Sequence, residues 1–194
     1  MIKIAITGNI AAGKSVVEKI LKDLQYPVID TDKIVHDLFI NSQDLNNKLR
    51  KEFNGYNIYT EGILDRKKLA KVVFSDRELL KKLEKITHPM ALDEVMKFFE
   101  ANSQENFVFV SVPLLYEVHW TQYFDKVILV AANDNIRLER LITRRNLTEE
   151  NALTRMNAQI PQEEKIQLAD FVIYNNTNYI DLSRQINETL CELL

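Results

Sequence analysis

The chain has 194 residues, enough to bury a full hydrophobic core as one large domain or as one core with insertions. Hydrophobic residues make up 46% and charged residues 27%, as in ordinary globular proteins, and the formal net charge of −3 gives no indication of a nucleic-acid partner. Cys191 is the single cysteine, which excludes an intramolecular disulfide and fits a reducing compartment. No apolar run approaches the roughly 18 residues of a membrane helix and no leader pattern opens the chain, so we expect a cytoplasmic protein.

Short apolar runs alternate with helical patterns along the chain. Five runs predict β-strands: Ile2–Thr7, Pro27–Asp30, Phe107–Val112, Lys126–Val130 and Phe171–Tyr174. Between the first two, apolar residues recur at the helical period on one face: Val16, Val17, Ile20, Leu21 and Leu24. Strand, helix and strand in this order imply a right-handed crossover, so we predict an α/β fold with a parallel sheet flanked by helices.

Two stretches interrupt this alternation. Residues from about 33 to 105 are polar and helical in period, and they contain no strand run as strong as the others, so a largely helical insertion is expected. Residues from about 133 to 165 form a second helical stretch, which is rich in arginine. Two helical attachments on an α/β core indicate a ligand site that closes.

The octet GNIAAGKS, Gly8–Ser15, follows the first strand and opens the first helix, and it matches G-x-x-x-x-G-K-[ST]. Backbone N–H groups of such a loop bind phosphate oxygens, helped by the positive end of the following helix. Lys14 would reach the β- and γ-phosphates, and the Ser15 hydroxyl would ligate Mg²⁺. The alternative is a strand-to-helix turn that matches by chance. The strings N-K-x-D and D-x-x-G of switch GTPases are both missing from the sequence.

The run VIDTD, residues 28–32, would place two carboxylates at the carboxyl end of a strand, where open α/β sheets bind ligands. Asp30 and Asp32 are two residues apart and would share one face of the strand. They could ligate Mg²⁺ through water or accept a proton from a substrate hydroxyl. They could equally be turn-forming aspartates that cap the next helix.

Arg137, Arg140 and Arg144 are spaced to line one side of a helix. A solvated helical face is one interpretation of this stripe. The other is that arginines on a movable segment neutralise a transferring phosphoryl group.

Earlier in the chain, Pro89 directly follows His88, which predicts that the preceding helix ends there.

These blocks together resemble the dephospho-coenzyme A (dephospho-CoA) kinase family over nearly the whole chain. The matching blocks are, in order, IAITGNIAAGKSV, VIDTDKIVHDL, GILDRKKLAKVVF, KITHPM, VSVPLLYE, RLERLITRRNLTEENALTRMNAQ and LADFVIYNN. The resemblance implies ATP-dependent phosphorylation of the ribose 3′-hydroxyl of dephospho-CoA, the last step of coenzyme A synthesis. It implies Mg²⁺ as the cofactor and ATP and dephospho-CoA as partners, with no nucleic acid, membrane or obligatory protein partner.

The family organisation implies three parts for this chain: a P-loop NTPase core (1–32, 106–134 and 166–194), a helical substrate-binding insertion (33–105) and a small helical lid (135–165). The implied catalytic residues are Asp32 as general base with Lys14, Arg140 and Arg144. The implied ATP-binding residues are Gly8, Asn9, Ile10, Ala11, Ala12, Gly13, Lys14, Ser15, Val16 and Asn175, with Ser15 as the metal ligand. The implied substrate-binding residues are Asp32, His36, Arg66, His88, Pro113 and Leu114. Another small-molecule or nucleotide kinase, or an ATP-binding sensor without turnover, are the alternatives.

The chain departs from the family pattern at several positions of these blocks. Asn9, Ala11 and Ala12 replace residues that are usually glycine, glycine and serine; asparagine tolerates positive φ better than most side chains, and alanine keeps the N–H donors. Val16 stands where threonine is usual, and His36 where arginine is common, which removes a permanent charge. We expect these departures to affect affinity more than reaction type.

Overall fold

Apolar runs form strands and amphipathic runs form helices close to the predicted positions. The computed structural model of the chain describes residues 1–193. In chain order its elements are β1 Ile2–Thr7, α1 Lys14–Asp23, β2 Val28–Asp30, α2 Thr31–Asn41, α3 Gln43–Glu52, β3 Tyr59–Thr60, β4 Ile63–Leu64, α4 Arg66–Phe74, α5 Arg77–Ala101, β5 Phe107–Ser111, β6 Lys126–Ala131, α6 Asp134–Arg145, α7 Glu149–Asn157, α8 Gln162–Leu168, β7 Phe171–Tyr174 and α9 Tyr179–Glu192. Within the described residues, no helix combines the length and apolar character that crossing a membrane requires.

A five-stranded sheet in the order β2-β5-β1-β6-β7 forms the centre of the fold. Every pair of neighbouring strands in it is parallel, so all five carboxyl ends lie at one edge. The middle strand β1 is covered on both faces, and its residues Ile4, Ala5 and Ile6 are 0% exposed. The predicted α/β class with a parallel sheet is confirmed, and it places the end of β1, where the phosphate loop begins, at the edge that binds ligands in such sheets.

The core of the sheet is completed by α1 and α9. Val17, Ile20 and Leu21 of α1 are buried against the strands, together with Leu182 and Ile186 of α9. The prediction that Leu24 belongs to the same buried face is wrong. The helix ends at Asp23, and Leu24 adopts the C-cap position with 44% of its surface exposed, because the chain turns there toward β2.

The chain divides into two compact units: residues 1–30 with 99–194, and residues 31–98. The second unit differs from the predicted insertion, 33–105, mainly at its C-terminal end. Phe99 is buried and its ring packs edge-on against Phe124, 5.9 Å between centroids, so the end of α5 belongs to the first unit. Residues 135–165 also belong to the first unit, and their movement as a lid stays a prediction.

The second unit is mostly helical and has its own apolar core. That core contains Leu45, Leu49, Phe53, Ile58, Leu69, Val73 and Leu79. The second unit also contains a two-stranded antiparallel sheet, β3 and β4, in which Tyr59 pairs with Leu64. Glu61 and Gly62 connect the strands with φ of 49° and 80°, the left-handed conformations of a tight hairpin turn. Strands of two residues are too short to produce an alternating pattern, which is why the sequence did not predict them.

Helix α5 continues through Pro89, so the prediction that a helix ends before this proline is wrong. Proline removes one N–H donor and disfavours the helical conformation of the residue before it. The cost is offset because α5 runs on for twelve further residues and buries apolar side chains such as Ala91, Val95 and Phe99. Tertiary packing therefore overrides the local preference.

Leu49→Ala should lower the free energy of unfolding by about 2–5 kcal/mol, because Leu49 is 0% exposed in the core of the second unit and its loss leaves a cavity. Ile40→Ala is the control, since Ile40 is 62% exposed and its removal should cost less than about 0.5 kcal/mol. Urea unfolding monitored by circular dichroism measures both. Equal losses in the two variants would contradict the assigned core.

Candidate functional site

The loop Gly8–Ser15 connects β1 to α1, and its two glycines have separate structural reasons. A Cβ on Gly8 would lie 2.3 Å from the carbonyl oxygen of Val130, so only glycine allows the end of β1 to approach β6 this closely. Gly13 has φ of +101°, and a Cβ there would lie 2.0 Å from Nδ2 of Asn175. Close packing therefore requires glycine at both glycine positions of the phosphate-binding pattern.

Asn9 and Ala11, two departures from the family pattern, adopt backbone conformations other than those expected from the sequence. The positive φ in the middle of the loop belongs to Ala11, at +62°, and Asn9 does not adopt one. A left-handed conformation costs an alanine about 1–2 kcal/mol, so the loop retains strain that a glycine would relieve. Asn9 is 2% exposed, and its side chain instead donates from Nδ2 to the carbonyl oxygen of Ile160 over 2.9 Å.

Two arginines of α6 donate hydrogen bonds to carbonyl groups of the loop. Arg137, 3% exposed, donates from Nε to the carbonyl oxygen of Ile10 over 3.1 Å and from Nη1 to Asp134 over 2.7 Å. Arg140 donates from Nη1 to the carbonyl oxygens of Ala11 and Ala12 over 3.1 and 3.2 Å. The interpretation of a solvated arginine face is therefore wrong for these two residues.

Burial lowers the pKa of both guanidinium groups, and Asp134 opposes this effect at Arg137. The third member of the stripe, Arg144, lies in the last turn of α6 and is exposed. The helical spacing predicted from the sequence is confirmed, and the three side chains differ because only the first part of α6 lies against the loop.

Asn175 follows β7 directly and joins the same group of contacts. Its Nδ2 donates to the carbonyl oxygen of Ala12 over 2.8 Å, and its own carbonyl oxygen accepts from Nη2 of Arg140 over 2.9 Å. Its backbone amide donates to Ala131 at the end of β6 over 2.8 Å. Asn175 therefore connects the ends of two strands to the phosphate loop.

At the start of α1, Lys14 and Ser15 occupy the first two helical positions. Nζ of Lys14 donates to the carbonyl oxygen of Gly8 over 2.9 Å, so the ammonium group folds back over the loop. Ser15 is exposed. The helix has neither a side-chain N-cap nor an acidic residue in its first turn, and a helix end of this kind attracts anions.

A buried carboxyl group lies below this helix end, and sequence reasoning missed it. Glu18 is 8% exposed and its Oε1 accepts from the Ser111 hydroxyl over 2.6 Å, at the carboxyl end of β5. Burial raises the pKa of Glu18. The hydrogen bond from Ser111 opposes this rise, and the negative charge of Asp30 adds to it. The signal that could have revealed it is a glutamate directly beside Val17 on the apolar face of α1.

The predicted residues Asp30 and Asp32 do not share a strand face, because β2 ends at Asp30. Asp32 lies in the first turn of α2, where a carboxylate interacts favourably with the helix dipole, and it is exposed. Asp30 pairs in register with Ser111 of β5. The alternation of a strand therefore does not continue to Asp32, and the two residues lie in different compact units.

The second unit brings His36 and Arg66 together. Nη1 of Arg66 and Nδ1 of His36 are 2.9 Å apart, and since a guanidinium group can only donate, Nδ1 of His36 accepts. The guanidinium group also lies 5.7 Å from the centre of the Phe39 ring. His88 lies on α5, half-buried, and burial lowers its pKa while Glu84 opposes.

The loop after β5 carries Pro113 and Leu114 in the first unit. The Pro113 carbonyl oxygen lies 3.5 Å from the Thr7 hydroxyl, and Leu114 is 43% exposed. Farther along this loop, Glu117 forms an ion pair of 2.7 Å with Lys165, whose side chain is fully buried. Sequence reasoning missed this pair, because two opposite charges 48 residues apart give no local signal.

Together, the parallel sheet and the loop between β1 and α1 define the α/β fold of P-loop proteins. A solved shikimate kinase from Acinetobacter baumannii shares this fold, with a TM-score of 0.57 over 99% of this chain and 94% of that one, at 15% identity.

The particular family follows from closer comparisons. The model of the family described as dephospho-CoA kinase matches residues 2–181. A dephospho-CoA kinase from Carboxydothermus hydrogenoformans is 39% identical over 185 residues, which cover 94% of this chain and 89% of that protein. Among solved structures, a dephospho-CoA kinase from Campylobacter jejuni has a TM-score of 0.73 at 32% identity and covers 98% of this chain and 96% of that one. A Thermus thermophilus protein has a TM-score of 0.83 at 37% identity, covering 100% and 98%.

The chain belongs to the dephospho-CoA kinase family. It is an enzyme of coenzyme A biosynthesis, and the resemblance noted in the sequence is confirmed. The family uses ATP together with a divalent metal ion, and dephospho-CoA as the acceptor.

The pKa of Glu18 predicts a pH-dependent stability. A carboxyl group whose pKa is raised on folding binds its proton more tightly in the folded chain. Its contribution to the free energy of unfolding is therefore complete below pH 4.5 and is lost as pH rises through the folded pKa. Glu18→Gln should therefore gain stability relative to the unmodified chain as pH increases above 4.5. Urea unfolding at several pH values measures this difference.

The Ser111→Ala variant serves as a second test of the same pKa. Because the Ser111 hydroxyl lowers the pKa of Glu18, its removal should extend the loss of stability to higher pH. Unfolding free energies of the chain and of Glu18→Gln that stay parallel across the whole pH range would contradict the assignment.

Proposed function

We propose that this chain binds the phosphates of ATP in the loop Gly8–Ser15 and transfers the γ-phosphoryl group to the ribose 3′-hydroxyl of dephospho-CoA. The observation that carries this proposal is that Arg137 and Arg140 bind the carbonyl groups of Ile10, Ala11 and Ala12. Because the Ile10 and Ala12 amides donate to Gln159 and to the Asn9 carbonyl oxygen, the phosphates would be bound by other N–H groups of the loop. Adenine would lie near Asn175. Val16 would lie beside the α-phosphate, but its side chain has no hydroxyl group to donate to it.

Charge neutralisation is assigned to two cations, Lys14 and Arg144, and Arg140 acts by holding the loop. Lys14 would leave the Gly8 carbonyl and donate to the β- and γ-phosphates, a short movement for a long, flexible side chain. Arg140 would hold the loop in shape from outside while Arg144, exposed at the end of α6, meets charge that develops on the phosphoryl group. In-line phosphoryl transfer requires little covalent chemistry from a protein, so such positioning supplies most of the rate increase.

The residues at the start of α1 fit a magnesium ion bound together with ATP. Mg²⁺ prefers oxygen ligands and usually keeps several waters and substrate phosphate oxygens, so it requires few protein ligands. The exposed hydroxyl of Ser15, at the second position of α1, is a ligand of this kind. When bound, the ion neutralises phosphate charge and orients the leaving group.

Asp32 is proposed as the general base. Its carboxylate is exposed, and it lies two residues beyond the carboxyl end of β2, the edge at which parallel sheets bind ligands. A carboxylate aligned with the ribose hydroxyl can take its proton as the bond to phosphorus forms. The phosphoryl group then leaves ADP, and the products are ADP and coenzyme A.

The remaining proposed acceptor contacts are His36, Arg66, His88, Pro113 and Leu114. The pairing of His36 with Arg66 suggests how the chain compensates for the usual arginine at position 36. Arg66 keeps a permanent positive charge, and the neutral imidazole of His36 holds its guanidinium group in place. The acceptor is expected to interact with this charge through its own phosphate groups.

Lys14→Ala should abolish nearly all phosphoryl transfer to dephospho-CoA while leaving the melting temperature unchanged, because the lysine is the cation of the loop and is not buried in the core. Lys22→Ala, an exposed change on the same helix, is the control and should keep full activity. An ATP-consumption assay with dephospho-CoA, adenosine, AMP and gluconate side by side measures both activity and acceptor choice. Normal turnover by Lys14→Ala would remove the loop from the mechanism.

Asp32→Asn should lower kcat by roughly 10²–10⁴, the usual range for general-base catalysis, with little change in the KM for ATP. The lower end is expected, because a loose transition state needs the proton to leave only late. Asp37→Asn, also exposed on α2, is the matched control and should leave kcat unchanged. If Asp32→Asn kept more than about a third of kcat, Asp32 would not be the base.

A further inference from the structure

A short segment after α7, residues 159–162, is attached to the phosphate loop by two hydrogen bonds. The Ile10 amide donates to Oε1 of Gln159 over 2.7 Å. Nδ2 of Asn9 donates to the carbonyl oxygen of Ile160 over 2.9 Å. We propose that Gln159 is a positioning residue for phosphoryl transfer, which fixes the first half of the phosphate loop through the Ile10 amide.

The segment that carries Gln159 is itself held in place by a buried ion pair. Oε1 of Glu117 accepts from Nζ of Lys165 over 2.7 Å and from the Ile160 amide over 3.3 Å. Lys165 is 0% exposed, so separating it from Glu117 would leave a charge uncompensated in the interior. Ile160 is therefore fixed from both sides, by Glu117 at its amide and by Asn9 at its carbonyl group.

A second glutamine anchors the other end of the segment. Oε1 of Gln162 accepts from the Ala132 amide over 3.0 Å, just after β6. Gln159 and Gln162 thus make the same kind of bond from the same segment, one to the phosphate loop and one to the end of a strand. Because the segment is anchored at both ends, the acceptor atom of Gln159 is presented to Ile10 with little conformational freedom.

These contacts fix the peptide groups of the loop before a phosphate is bound. The Ile10 amide is committed to Gln159, the Ile10 carbonyl group to Arg137, and the Ala12 amide to the carbonyl oxygen of Asn9. Groups that are already oriented need no rearrangement as charge develops in the transition state. This inference rests on the proposed function, because the orientation of the loop affects turnover only if the loop binds ATP.

The test compares three variants in the full chain. Gln159→Leu removes the acceptor and should lower kcat about 3- to 10-fold, with faster exchange of the Ile10 amide hydrogen measured by NMR. Gln159→Glu keeps an acceptor oxygen and adds a negative charge that repels phosphates. It should therefore protect the Ile10 amide and keep kcat within about twofold at saturating ATP, while raising the KM for ATP.

Gln162→Leu is the matched control, since it removes an equivalent bond from the same segment without touching the phosphate loop. It should lower stability about as much as Gln159→Leu, but because it loosens Gln159 only indirectly it should lower kcat and speed the exchange of the Ile10 amide less than Gln159→Leu does. The proposal is overturned if Gln159→Leu keeps kcat within about twofold. It is also overturned if the leucine and glutamate variants lose kcat equally, which would indicate a packing role.

The readouts separate this inference from the proposed function. If Lys14→Ala retained turnover, the function assigned to the loop would fail, whereas the exchange rate of the Ile10 amide would still report the bond to Gln159. If Lys14→Ala were inactive and Gln159→Leu fully active, the loop would keep its function and Gln159 would lose its positioning role.

Discussion

The orientation of the peptide groups between Gly8 and Ser15 is the constraint on which the rest of this structure depends. A loop that turns N–H groups inward to bind phosphate must turn carbonyl oxygens outward, and buried carbonyl oxygens require donors. Arg137, Arg140 and Asn175 provide these donors. Their elements therefore have to lie around the loop, which the strand order achieves by placing β6 and β7 on one side of β1.

Holding the loop in this way buries two cations, Arg137 and Lys165, and each is compensated by a nearby carboxylate. Arg137 is paired with Asp134, and Lys165 with Glu117. Desolvation of the buried cation offsets the attraction within such a pair, but removal of the carboxylate is costly because it leaves the cation uncompensated. The Glu117–Lys165 pair joins the loop after β5 to α8, whereas the Arg137–Asp134 pair lies within α6.

The departures from the family pattern have local physical consequences that leave the reaction type unchanged. Ala11 adopts a left-handed conformation that costs energy but preserves its N–H group, and Asn9 adds a hydrogen bond that glycine could not make. His36 lacks the permanent charge of arginine, yet it accepts from Arg66, which carries one. Phosphoryl transfer depends on placed dipoles and charges more than on particular side chains, which explains why such changes can be accommodated.

The sequence by itself determined the five strands of the central sheet, the phosphate loop and the family, because each depends on patterns local in the chain: apolar runs, two glycines in an octet, and ordered blocks. It also located the arginine stripe by helical spacing. Only the tertiary structure decided that Arg137 and Arg140 hold the loop, that Glu18 is buried beside Ser111, and that Gln159 reaches Ile10. These contacts join residues 93 to 149 positions apart, or depend on which side of a helix faces the sheet. A hydrogen bond between residues distant in the chain leaves no periodicity in the sequence, so only the folded structure reveals it.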